Sequence, residues 1–285
     1  MIKVVCAVGD SFMSGQEVFF NEHPNAFPNL TESDRAMLEL GTYADNKKIY
    51  DYYNARLNEL IIPGIIANKL NVPCFNYSAP GASMESIKLQ TYLLISTLKE
   101  RGIDPRTCLW LVGLTPMTRL MFFDPYPEHH LTNIAEAAIG DVNYAMSRNS
   151  CQTFFCDRES QVHPRFDGFA KQLIVTKTNE DLAIAWAMNI HGILSVLRAS
   201  GCEQIRILWH WQPQIFEFTQ FIDHKTLLKL LTGIVREFEP YLSPAGDTPF
   251  NVHANYADGS WRCARGHWTA KVHMLVGQQI LDSIV

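Results

Sequence analysis

The chain has 285 residues, 47% of them apolar and 19% charged, which is the balance of a folded globular protein whose core needs no disulfide staples. With 24 basic and 29 acidic residues the net charge is −5, which excludes a strongly basic nucleic-acid binder as the default expectation. The longest apolar runs, such as 61–67, contain Pro and Gly and fall short of the ~20 residues of a membrane span, so no membrane partner is expected.

The N-terminus, Met1-Ile2-Lys3-Val4-Val5-Cys6-Ala7-Val8-Gly9-Asp10, has one Lys, a very short apolar run and then a turn. A secretory signal needs a longer apolar stretch and a cleavage site. The seven cysteines are scattered and odd in number, which suits a reducing compartment better than a disulfide framework. The expected location is cytoplasmic, with association with a virion or release by lysis as the routes outward.

Ile2–Val8 is a continuous Val-rich run stopping at Gly9, the pattern of a fully buried strand in a parallel sheet. Residues 55–70 carry apolar residues at helical spacing, with a kink expected at Pro63-Gly64. Val72–Tyr77 reads as a second strand, 83–101 as a helix, and Cys108–Val112 as a third strand. A helix follows over 180–200, then a strand over Ile205–Trp209 and a helix over 219–238. Pro249–His253 is a short fifth strand candidate. The amphipathic stretch 268–284 closes the chain, with Val272, Leu275, Val276, Ile280 and Ile284 on one face.

Strands alternating with helices imply a parallel sheet of about five strands in a three-layer α/β domain spanning 1–285. Two stretches break the rhythm, 19–54 and 116–178. Loops this long carry either function or structure of their own, so both are read as insertions forming a cap or side lobe. Their aromatics (Phe19, Phe20, Tyr50, Tyr52, Tyr53, Phe122, Phe123 and Tyr126) either shape a pocket for an acylated sugar or make up the lobe's own core.

Chemistry concentrates at the two ends. In Gly9-Asp10-Ser11-Phe12-Met13-Ser14-Gly15 a serine follows a buried strand immediately. Ligands of open α/β sheets bind outside the carboxyl ends of the strands, so Ser11 stands where a nucleophile belongs. Gly-Asp-Ser is also ordinary turn chemistry. At the far end His267 precedes the last helix, and an imidazole with a pKa near ~6.5 suits a general base. The chain holds 10 His, and a helix-capping or packed ring is the plainer alternative.

Together these ends resemble the SGNH (GDSL-type) hydrolases, esterase and lipase relatives on a flavodoxin-like sheet. In that family the serine follows strand one and the histidine lies just before the last helix. Gly81, in Asn76-Tyr77-Ser78-Ala79-Pro80-Gly81, matches the glycine expected after strand two. The resemblance spans four ordered landmarks and leaves out both insertions. It implies acyl transfer, with Ser11 attacking an ester carbonyl, His267 as base, and the backbone N–H groups of Ser11 and Gly81 facing the oxyanion.

Two positions depart from the family pattern. Its third block is Gly-x-Asn, whereas this chain has Gly113-Leu114-Thr115. A threonine hydroxyl donates one hydrogen bond but is a less rigid donor. Divergent members associated with tailed bacteriophages are similar to this Gly-x-Thr version, with an Arg shortly after, and Arg119 fits. The family's acid stands three residues before the histidine, where this chain has Ala264. The nearest upstream carboxylate is Asp258, in an Asp-Gly turn pair. Either Asp258 completes a triad, or a Ser–His dyad works with a backbone carbonyl orienting the ring.

Trp209-His210-Trp211 ends the fourth strand on the same edge. His210 and its neighbours either line a substrate pocket, where tryptophan stacks on sugar faces, or pack as an aromatic cluster. Cys151-x4-Cys156 with His163 and His129-His130 does not have standard zinc spacing, and no metal or cofactor is implied. The expected activity is that of a serine esterase acting on a small acyl ester or acylated glycan, with O-deacetylation as the first candidate. The alternative, suggested by Ala264 and Thr115, is a catalytically weak glycan-binding or virion-associated module on the same fold. Oligomeric state is left open.

Overall fold

The computed structural model describes residues 1–39, 46–80, 82–115, 119–122, 152–155, 179–208, 225–238, 241, 263 and 267–284. Its centre is an all-parallel sheet of four strands: β1 (Val4–Val8), β2 (Cys74–Asn76), β3 (Cys108–Gly113) and, later in the chain, β6 (Ile205–Leu208). Their order across the sheet is β2-β1-β3-β6. In register, Val5 faces Cys74 on one side and Leu109 on the other, while Trp110 faces Ile205. This α/β arrangement is compatible with a flavodoxin-like fold. The fifth strand expected at Pro249–His253 lies outside the described residues.

Side chains alternate between the two sheet faces, and each face is covered. Val4, Cys6 and Val8 share one apolar cluster with Cys108, Trp110, Val112, Ile205 and Ile207. Helix α6 (Met84–Glu100) and helix α7 (Asn179–Ala199) close that face. Ile234 of α8 (Lys225–Phe238) joins the same cluster. Val5, Ala7, Leu109 and Leu111 pack on the opposite side against α5 (Ile62–Leu70) and α9 (Ala270–Asp282). Burial on both faces explains why these strands read as unbroken apolar runs rather than alternating ones.

By length and composition, Glu180–Ala199 is apolar enough to cross a membrane. Here its apolar side goes to the sheet: Ala183, Trp186, Ala187, Ile190, Ile193, Leu194 and Leu197 all lie in the core.

The kink expected at Pro63-Gly64 is a full break two residues earlier. Helix α4 (Lys47–Leu60) ends at Ile61, whose backbone is extended, and α5 restarts at once with Pro63 in its first turn. Proline has no N–H to donate and is tolerated only where that donor would lack a partner. Helix α4 also begins eight residues before the expected start at 55. The Asn46 side chain accepts from the N–H groups of Lys48 and Ile49 and caps it.

The insertion at 19–54 is therefore largely helical. Around α4 it contributes α2 (Val18–Glu22) and α3 (Glu32–Glu39). Val18, Phe19, Leu38, Tyr53 and Leu57 form a third apolar cluster with Phe20, Phe27 and Tyr50 packed against it. Five of the insertion's aromatics thus belong to the lobe's own core. Of the second insertion, β4 (Arg119–Phe122) and β5 (Gln152–Phe155) pair antiparallel in a separate small sheet. Phe123 and Tyr126 lie outside the described residues, as do Cys151, Cys156, His163, His129 and His130.

Candidate active site

The order β2-β1-β3 makes the carboxyl end of β1 a topological switch point: the chain leaves it toward one side and returns on the other, opening a crevice. Ser11 sits in that crevice as the first residue of a single helical turn, α1 (Ser11–Ser14). The turn is sharply specified. The Asp10 side chain accepts from the N–H of Phe12 at 3.1 Å. Gly15 ends the turn in the left-handed region at φ 75°, where glycine has no steric penalty. Gly9 and Gly113, at the ends of β1 and β3, leave room for the Met13 side chain. A Cβ on either would stand 2.6 Å or 2.3 Å from Met13 Cγ. Gln90, on α6, anchors the strand end by accepting from the Gly9 N–H at 2.9 Å. Ser11 itself is 2% exposed.

His267 reaches this turn from the other end of the chain. Its ring packs against that of Phe12, the neighbour of Ser11, at 5.3 Å between centroids, and Phe12 in turn meets Trp268 edge-on at 5.4 Å. The N–H of Cys263 donates to the His267 carbonyl at 2.7 Å and fixes the backbone there.

His267 Nδ1 lies 2.6 Å from Glu17 Oε2, and the two side chains are only 16% and 9% exposed. An ionised carboxylate is an acceptor only, so Nδ1 must carry the proton and donate it. In the neutral ring that fixes the tautomer and leaves the lone pair on Nε2. Glu17 takes a left-handed backbone at φ 69°, a conformation costing a residue with a Cβ about 1–3 kcal/mol. The strain is local to the contact: the residue that bears it is the one that meets the histidine.

Sequence reasoning missed Glu17. A carboxylate near His267 in the chain is the one a local pattern can show, and Glu17 is 250 residues away. The one available signal was an acidic residue just past Gly15, combined with Ala264 in the family's acid position. Asp258 lies outside the described residues, and the carboxylate that the structure gives His267 Nδ1 is that of Glu17.

The remaining expected residues divide. Thr115 is fully buried two residues beyond Gly113, and its carbonyl accepts from Trp186 Nε1 at 2.8 Å, so its backbone is tied to α7 just past the end of β3. Arg119 opens β4, its backbone paired with Phe155. Gly81 and His210 lie outside the described residues. Among the described residues no group of three or more His, Cys, Asp or Glu side chains could hold a metal ion.

Three buried thiols do not compete as nucleophiles. Burial pushes Cys74, Cys202 and Cys263 up to about 12, with the negative charge of Glu17 adding to the effect at Cys263. A raised thiol pKa means the reactive thiolate is scarce below it. Treating the native protein with iodoacetamide at pH 8 should therefore leave these three cysteines unmodified by peptide mapping, and rapid alkylation of Cys263 would contradict its burial.

No protein-family model matches the chain, and no curated protein matches it.

Proposed function

We propose that this chain is a serine esterase of SGNH type, with Ser11 as nucleophile, His267 as general base and Glu17 as the carboxylate that orients it. The observation carrying this reading is the Glu17–His267 hydrogen bond, next to a serine on a tightly held turn at the sheet's switch point. A neutral imidazole held by a buried carboxylate through Nδ1 is what a serine hydroxyl needs to become reactive.

In the proposed reaction, Nε2 takes the Ser11 proton as Oγ bonds to the ester carbonyl carbon. The carbonyl electrons move onto oxygen, where the Ser11 and Gly81 N–H groups and the Thr115 hydroxyl would face them. Collapse expels the alcohol, which leaves with the proton from His267. Water then adds to the acyl carbon, giving its proton to His267. The carboxylic acid departs as that proton returns to Ser11 Oγ. Throughout, Glu17 stays ionised and stabilises the imidazolium. The substrate class we favour is an acylated glycan.

Fluorophosphonate labelling, read by intact mass and peptide mapping, tests the reading. One adduct on Ser11 is expected, absent from Ser11→Ala and slowed at least about 10³-fold in His267→Ala. A folded protein that takes no label, or a label that survives Ser11→Ala, would overturn it. The first outcome would turn attention to glycan binding without turnover.

A further inference from the structure

A cavity of about 380 Å³ opens between helix α4 and the outer strand β2. Tyr50, Asn54 and Asn58 line it from α4, Ser78 from the chain just beyond β2, and Ser14 from the turn that begins at Ser11. The cavity is therefore continuous with the candidate nucleophile's own turn: Ser14 Oγ donates to the Ser11 carbonyl at 3.2 Å. It is also close to the lower end of the volumes that hold small molecules.

Its lining has a definite chemical character. Side-chain amides and hydroxyls dominate, each amide offering two donors and an acceptor, and Glu39 is the only charged side chain among the described lining residues. Ser78 is 4% exposed, and its Oγ has no hydrogen-bond partner among the described residues. A buried hydroxyl left unpaired is costly, and in a native protein such a group calls for an explanation. An aliphatic acyl chain in this space would leave the Ser78 hydroxyl unpaired and offer nothing to the Asn54 and Asn58 amides. A neutral ring carrying several hydroxyls would pair them and rest its apolar face on tyrosine.

We infer that this cavity binds one neutral sugar ring. Taking that ring as the alcohol side of the cleaved ester rests on the esterase reading, whereas binding itself does not.

Saturation-transfer NMR on the full chain tests the inference, using methyl α-glucopyranoside, methyl α-galactopyranoside, the methyl glycoside of N-acetylglucosamine, and methyl hexanoate as an acyl probe. Saturation is expected to reach the ring protons of at least one glycoside. It should fall at least about five-fold in the Asn54→Leu/Asn58→Leu variant, whose lost hydrogen bonds are worth that much or more. Both positions lie outside the catalytic residues and the core, so the variant should keep its fold, with circular dichroism and thermal melting as the check. Transfer to no glycoside, transfer to methyl hexanoate alone, or glycoside transfer unchanged in the folded variant would overturn the inference. Glycoside transfer that depends on Asn54 and Asn58 in a protein that takes no label at Ser11 would uphold the cavity's role and remove the esterase.

Discussion

Glu17→Gln should lower ester turnover by on the order of 10⁴-fold, the loss seen when a serine protease's orienting acid is amidated, while leaving the protein folded. The reason is geometric. A carboxylate can only accept from Nδ1, so it enforces the tautomer in which Nε2 is basic. Glutamine can present its NH₂ instead, and a ring that accepts at Nδ1 carries its proton on Nε2, where it cannot take another from Ser11. Fluorophosphonate labelling should slow in parallel, because it uses the same base. Asp258→Asn should leave turnover near normal. The pair of variants separates the two carboxylates: full activity in Glu17→Gln with a large loss in Asp258→Asn would assign the orienting role to Asp258. Glu17→Asp should recover part of the lost rate, because it keeps the charge but shortens the reach. A purely structural role for Glu17 would instead make the Gln variant, as the closer match in shape, the milder of the two.

The largest effect on stability is expected from Gly64→Ala. At the elbow between α4 and α5, a Cβ on residue 64 would stand 1.7 Å from the Asn58 carbonyl oxygen and 2.9 Å from its Cα. Both are backbone atoms, so no side chain can swing away to make room. The two helices must part, and α5 packs on β1 and α9 through Ile62, Ile66 and Ala67. Overpacking of this kind costs about 3 kcal/mol or more when the backbone has to yield. Thermal melting should fall by roughly 6–12 °C, and an unchanged midpoint would show that the elbow opens at little cost. Asn58 also lines the cavity, so the same substitution should weaken glycoside binding in whatever fraction remains folded.

What the sequence disclosed follows from where each signal is encoded. Val4–Val8 and Cys108–Val112 are legible because a strand buried on both faces has to be continuously apolar. Ser11 is legible because the strand stops at Gly9 and the serine follows at once. The N-terminal half of α4 was obscured because Tyr50, Tyr52 and Tyr53 read as loop aromatics. Their helical register is set by the cap at Asn46 and by the lobe they pack into. The β4–β5 pair is hidden in four-residue segments whose partner lies across a long stretch of chain. Glu17 is the hardest case. Its role depends on a left-handed backbone and on a tertiary approach from the opposite terminus, and neither leaves a local pattern.

That approach has a consequence for the order of events during synthesis. The ribosome delivers Ser11 and Glu17 first and His267 some 250 residues later, and domains form from the N-terminal side as the chain emerges. On the proposed esterase reading, the nascent protein holds, until α9 docks against α5, a serine without its base and a carboxylate without its histidine. Reactivity at Ser11 should therefore switch on at a single late step, and a ribosome stalled before residue 267 should carry a chain whose Ser11 takes no fluorophosphonate.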